Sequence, residues 1–127
     1  MLSHLSLGVS DLGLAAAFYD ATLGALGYIQ LWNSNGGLGY GEAGGNDRLA
    51  LFSQSEARLA AGPGFHLAFT APDARSVDAF HAAALVNGGS DEGKPGLRPH
   101  YGTTYYAAFV RDPDGHKLEA KAVVPAD

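Results

Sequence analysis

Three side chains of this sequence have the types and placing to hold a metal ion: His4, His66 and Glu119. The two histidines stand 62 residues apart, each in a segment that alternates along the chain. Over residues 3–10, Leu5, Leu7 and Val9 take one face, and His4, Ser6 and Gly8 the other. Over 65–71, Phe65, Leu67 and Phe69 lie opposite His66, Ala68 and Thr70. A period of two with one apolar face marks a half-buried strand. A lone strand histidine is more often a hydrogen-bonded or exposed residue than a ligand, but two at matching places alter that balance. The third group lies in His116-Lys117-Leu118-Glu119-Ala120-Lys121, where Leu118 and Ala120 take the core face and Glu119 the histidine side. Taken alone, Glu119 reads as a solvated strand residue with Lys117 and Lys121 as salt partners. Two imidazoles and one carboxylate, with coordination positions left open, form the facial set that binds first-row metals together with a substrate. An ion so held can bind two vicinal oxygens of a small molecule and stabilise an anion formed from it. His116 falls on the opposite parity and is excluded as a ligand.

The elements that must position these groups are written twice. At the same offset of 62, His4, Leu5, Asp11, Ala17, Phe18, Ala21, Leu23 and Gly27 recur as His66, Leu67, Asp73, Ala79, Phe80, Ala83, Leu85 and Gly89. Such self-similarity signals a repeated structural unit. Asp11 and Asp73 stand where a helix N-cap belongs. Behind them Leu14, Ala17, Phe18 and Ala21, and then Val77, Phe80, Ala83 and Ala84, recur at helical spacing. Gly27 and Gly89 are expected to end the helices. Strands are expected near 28–33, 37–42 and 47–53 in the first half and near 90–94, 104–111 and 116–123 in the second. The last two are joined by the turn sequence Asp112-Pro113-Asp114-Gly115. Residues 95–103 read as a loop extension. The expectation is an α+β chain forming a single domain of two βαβββ modules, 1–62 and 63–127, with one helix covering each sheet.

Other groups are candidates for the chemistry around the ligands. Arg98, His100, Tyr101, Tyr105 and Tyr106 cluster in and after the long loop, with His100 or Tyr101 suited to act as acid, base or substrate contact. The bland reading, aromatics packed on a sheet edge, has equal weight. Aligning Arg48-Leu49-Ala50 with Lys117-Leu118-Glu119 pairs Glu119 with Ala50, so the first half supplies no carboxylate there. Arg48 and Phe52 then shape the cavity wall. Trp32 and Tyr40 fit cavity lining and core packing equally well. His81, which matches Tyr19 in the repeat, is expected to be exposed.

Composition narrows the partners. Apolar residues make up 46% and charged residues 17%, with 18 glycines and a formal net charge of −5. With no basic run, nucleic acid is an unsuitable partner. There is no cysteine, so any metal is held by nitrogen and oxygen. No apolar run approaches the roughly 20 residues of a membrane span, and the first thirty residues lack a secretory pattern. A cytoplasmic protein is the expectation.

The residues resemble the vicinal oxygen chelate superfamily, which includes glyoxalase I, extradiol dioxygenases, fosfomycin-resistance enzymes and bleomycin-resistance proteins. The most specific segment runs from Phe109 to Glu119 and is similar to the family's final hairpin. The opening from His4 to Leu12, followed by Phe18-Tyr19, is similar to its first strand and helix. The resemblance implies paired modules curling into a cup-shaped mixed sheet around a divalent ion (Fe, Mn, Ni, Co or Zn), with His4, His66 and Glu119 as ligands. It implies a small-molecule substrate and a homodimer, in which a site can draw residues from two chains. Ala50 departs from members with a fourth, glutamate ligand, which weakens the likeness to glyoxalase I itself. Bleomycin-binding members share the fold without metal, so a metal-free small-molecule or drug-binding protein is the alternative.

Overall fold

The computed structural model describes residues 1–55 and 59–126. The chain runs β1 (Leu5–Val9), α1 (Leu12–Ala25), β2 (Ile29–Ser34), β3 (Gly37–Gly41) and β4 (Asp47–Ser53). It repeats the pattern as β5 (Leu67–Thr70), α2 (Ala74–Val86), β6 (Ser90–Leu97), β7 (Tyr105–Arg111) and β8 (Lys117–Val123). Two four-stranded mixed sheets result, ordered β1-β4-β3-β2 and β5-β8-β7-β6. This is the expected α+β fold of two βαβββ modules. In each sheet the first strand pairs parallel to the fourth and the other pairings are antiparallel. The register also settles how the halves correspond. Ser6 lies opposite Ala50, and its repeat mate Ala68 lies opposite Glu119. Ala50 thus holds the place in the first sheet that Glu119 holds in the second.

Both helices start as the sequence requires. The Asp11 carboxylate accepts from Leu14 N at 3.0 Å, and that of Asp73 from Ser76 N at 2.8 Å. The second cap also accepts from the Ser76 hydroxyl, and these bonds hold the Asp73 carboxyl below its ordinary range. The ends differ by one residue. Gly27 follows α1 at φ +95°, but after α2 it is Gly88, at φ +91°, that takes the left-handed position expected of Gly89. The second helix is one residue shorter, 13 against 14, so the repeat offset slips there.

The buried stripe of α1 is Ala15, Phe18, Tyr19, Thr22 and Leu23, which corrects the expectation centred on Leu14, now 55% exposed. In α2 it is Val77, Phe80, His81 and Ala84. His81 is therefore buried, not exposed, and its Nε2 lies 2.8 Å from Asp91. That bond is the main cause holding the Asp91 carboxyl below its usual range. Its repeat mate Tyr19 is buried in the same way and donates to Asp112 at 2.6 Å. Spacing explains both: a residue flanked on its helix by apolar residues three and four positions away shares their face.

The helices pack on each other, and one core cluster takes residues from both sheets and both helices. Polar bonds tie the same seam. His116 Nε2 donates to Gly8 O at 2.8 Å, Ser10 N to Asp114 at 3.1 Å, and Tyr28 to Thr70 O at 2.8 Å. The sheet faces turned away from the helices stay open. On the first, the indole of Trp32 lies across Gly39, where an added Cβ would sit 1.9 Å from the indole nitrogen. Gly39→Ala is therefore expected to displace the only tryptophan, at a cost of about 1–3 kcal/mol. A shift in intrinsic fluorescence together with a lower urea midpoint checks this. Tyr40, by contrast, is core: it is 1% exposed and donates to Asp20. No helix among the described residues is long and apolar enough to cross a membrane.

Candidate functional site

The open face of the second sheet gathers most of the candidate chemistry. Alternation along β8 turns Lys117, Glu119 and Lys121 to this face while Leu118, Ala120 and Ala122 enter the core. On β7 the same rule separates Tyr105 and Phe109 from the core residues Ala108 and Val110. His66, just before β5, reaches across to Glu119, its Nε2 3.0 Å from one carboxylate oxygen. The other oxygen accepts the Tyr105 hydroxyl at 2.5 Å. Glu119 is 2% exposed, whereas the His66 side chain is 47% exposed. A buried carboxylate thus pairs one oxygen with a half-open imidazole and the other with a phenol hydroxyl.

Tyr105 is tuned by this contact. Burial first, and then its bond to Glu119, push the phenol up to about 12. At neutral pH it remains a donor. Around the pair stand cations lying over rings: Lys121 Nζ is 4.9 Å from the Tyr105 centroid, and Lys117 Nζ and the Arg98 guanidinium are each 5.6 Å from that of Phe109. The expected ion pairing of Lys117 and Lys121 with Glu119 does not form. Glu119 is satisfied by His66 and Tyr105, and the ammoniums sit on aromatic faces. A cavity of about 510 Å³ opens beside His66, lined by Phe65, Arg111, Lys117 and the 60–64 connection.

The remaining candidates separate by position. Strand β6 continues to Leu97 through register shifts near Gly93 and Gly96, so the loop expected over 95–103 begins after Leu97. His100 and Tyr101 are exposed on it, their rings 4.2 Å apart, with Tyr101 5.2 Å from Tyr105. Together they make an aromatic path from the rim toward Glu119. Tyr106 leaves the group: it points to the helix side and donates to Asp78 on α2 at 2.7 Å. Adjacent strand residues face opposite ways, so Tyr105 and Tyr106 could not share a cavity. Arg98 is anchored on the backbone oxygens of Gly96 and Lys94.

His4 stands in the first module, immediately before β1, exposed, with Nδ1 2.9 Å from the Ser3 hydroxyl. Its place matches that of His66, but its neighbouring strand offers Ala50 and no carboxylate. Arg48 reaches toward Ser3 O at 3.4 Å, and Phe52, 40% exposed, stacks near Trp32 at 6.1 Å. Among the described residues, no group of three or more His, Asp or Glu side chains is arranged to hold an ion. Within one chain the structure brings together His66 and Glu119, and leaves His4 apart. Sequence reading missed Phe109, although it shares the strand parity of Tyr105, and it paired Lys117 and Lys121 with Glu119 where the structure sets them over rings.

The pair nevertheless fits a metal. Donors bonded at about 2.0–2.2 Å and at right angles on one ion are about 3 Å apart, which matches the spacing of His66 Nε2 and Glu119 Oε1. With an ion held there, Tyr105 would be the outer partner that orients the carboxylate. Tyr105→Phe is expected to weaken divalent-ion affinity about 10-fold or more while leaving the fold intact, as measured by calorimetric titration with Mn²⁺.

Comparison with known proteins agrees with this architecture. Residues 1–120 match the model of the Glyoxalase/Bleomycin resistance protein/Dioxygenase superfamily. A glyoxalase/bleomycin resistance protein from Albidiferax ferrireducens T118 is 36% identical over 96% of this chain and 98% of its own, with a TM-score of 0.83. A glyoxalase-related enzyme from Fulvimarina pelagi is 22% identical over 96% and 87%, with a TM-score of 0.71. The fosfomycin resistance protein FosX from Listeria monocytogenes shares the fold at 20% identity, over 96% and 92%, with a TM-score of 0.68. No curated protein sequence matches. With the family matched over nearly the whole length and the same fold in these relatives, the chain belongs to the glyoxalase/bleomycin resistance protein/dioxygenase superfamily.

Proposed function

We propose that this protein is a divalent-metal-dependent enzyme, of lyase, isomerase or dioxygenase type, acting on a small molecule with vicinal oxygens. The observation that carries the reading is the 3.0 Å pairing of a half-open imidazole with a buried, oriented carboxylate. His66 and Glu119 are two ligands from one chain, and His4 of a second copy is the third. Two features support a homodimer of this kind. The helices of the two modules pack against each other within the chain, so each open sheet face is left for a partner. His4 is exposed at the repeat-related position. Arg48 and Phe52 of the second copy then join the wall of the same cup.

When bound, the ion supplies Lewis acidity toward the substrate oxygens. The chain supplies the rest. Tyr105 holds the Glu119 carboxylate in one orientation and stays protonated, while His100 at the rim is the group placed to hold or move a proton. Metal affinity falls on acidification, because the histidines must be deprotonated to bind. The test is to purify the protein without chelator, measure bound Fe, Mn, Ni, Co and Zn, and reload it with each. Sub-stoichiometric metal that none of the five restores overturns the proposal.

A metal-free binder of planar drug-like molecules is the second reading. It is favoured by the pairing of each Glu119 oxygen with a protein group and by the aromatic faces of Trp32, Phe52, Tyr105 and Phe109. A ligand at about 100 times its dissociation constant adds roughly 2.7 kcal/mol of stability. Thermal shifts of chelator-treated protein against planar antibiotics test it; no shift with any of them sinks it.

A further inference from the structure

The chain is acidic overall, with a net charge of −5, yet the open face of its second sheet is basic. Of the eight Lys and Arg residues, Arg98, Arg111, Lys117 and Lys121 lie on or beside this face. Arg111 is neutralised by Glu92 at 2.7 Å. Arg98, Lys117 and Lys121 form no ion pair with a carboxylate among the described residues, and Glu119 is occupied by His66 and Tyr105. Three cations without an ion pair therefore share this face with the Glu119 carboxylate.

Ring contacts hold these charges in place but do not neutralise them, and the common role of surface lysine does not apply. Lysine often guards exposed sheet edges against unwanted pairing, but β8 is an interior strand with β5 and β7 on either side. Nor do the lysines extend freely into water, since both are partly buried with their ammoniums over aromatic rings. Holding like charges together on one face is unfavourable unless an anion compensates them.

We infer that this face recognises a small organic oxyanion, a carboxylate or phosphate group carried by the substrate, with Lys117 as the principal contact at the cavity and Lys121 and Arg98 as further positive charges on the same face. The cavity of about 510 Å³ beside His66, lined by Lys117 and Arg111, is large enough for such a molecule. The inference rests on the metal-enzyme reading for the position of the substrate, but the anion site is read from the cations alone.

Two titrations separate the two ideas. Mn²⁺ is titrated first, into wild type and into the Lys117→Gln/Lys121→Gln double variant. Oxalate is then added to the Mn²⁺-loaded proteins, and inorganic phosphate to chelator-treated ones. The expected result is that the double variant binds Mn²⁺ as well as wild type or more tightly, because two like charges are gone, yet binds oxalate and phosphate at least 10-fold more weakly. Loss of fold would weaken all three together, so the opposite signs identify the anion role. Stronger loss of oxalate points to a carboxylate, and stronger loss of phosphate to a phosphate. Equal oxalate and phosphate affinities in both proteins overturn the inference and leave the metal reading standing. Absent Mn²⁺ binding alongside lysine-dependent phosphate binding overturns the metal reading and keeps the anion site.

Discussion

Glu119→Ala is expected to lower divalent-ion affinity at least 100-fold and to abolish any metal-dependent turnover. The reasoning starts from the donor count. A second copy's His4 and this chain's His66 are neutral ligands, so Glu119 carries the only negative charge of the proposed set. Loss of an outer hydrogen-bonding partner alone costs about 10–100-fold in metal affinity, and removing a direct, charged ligand reaches or exceeds that upper limit. The fold should survive. Glu119 is buried, but the imidazole it leaves is half-exposed and can turn to water, so the main loss is the Tyr105 hydroxyl left without its acceptor, about 1–3 kcal/mol. His66→Ala makes the control: similar loss of metal, with little change in stability. Calorimetric titration with Mn²⁺ and a urea melt on the same samples check both quantities. Wild-type metal affinity in Glu119→Ala would remove this residue from the proposed set.

The largest effect on stability is expected at Asp112. This residue opens the turn between β7 and β8, yet it is only 3% exposed, and three donors converge on it. The Tyr19 hydroxyl reaches one oxygen at 2.6 Å, and the amides of Asp114 and His116 reach the other at 3.0 and 2.8 Å. Tyr19 lies on α1, wholly buried, so this carboxylate fastens the first helix to the last hairpin. Asp112→Ala strands all three donors and is expected to cost about 3–5 kcal/mol, a large share of the roughly 5–15 kcal/mol that holds a typical domain folded. Asp112→Asn should cost far less. Its oxygen keeps the two amides, and its NH₂ can donate to the rotatable Tyr19 hydroxyl.

The pH dependence distinguishes the charge from the shape. Burial, outweighing the bonds from Tyr19 and the turn, raises the Asp112 carboxyl above its ordinary value of 3.8. A raised folded value means that the folded state favours the protonated form. The stability this contributes is complete below 3.8 and is lost as pH rises through the raised value. Wild type should therefore lose stability relative to Asp112→Asn over that interval, and urea midpoints measured from acid to neutral pH would reveal it. Parallel curves for the two proteins would contradict the raised value.

Much of this protein is legible in residue order because the deciding interactions are local. Alternation marked the strands, Asp11 and Asp73 capped their helices by bonding amides three residues on, and the 62-residue offset exposed the duplication. The same parity that put Glu119 opposite Leu118, with Lys117 and Lys121 on its own side, could also have separated Tyr105 from Tyr106. His81 was equally within reach, since it matches Tyr19 and both fall between apolar helical neighbours. Tertiary structure decided the remainder, because it depends on which faces meet. Packing α1 against α2 joins the two modules, while His66 reaches Glu119 within the second sheet and the first sheet carries Ala50 at the corresponding place. It also brings Asp112 beneath Tyr19, 93 residues away in the chain. Side-chain spacing along a strand is set by the backbone, whereas the approach of two modules is set by their whole buried surfaces, which no short stretch of sequence contains.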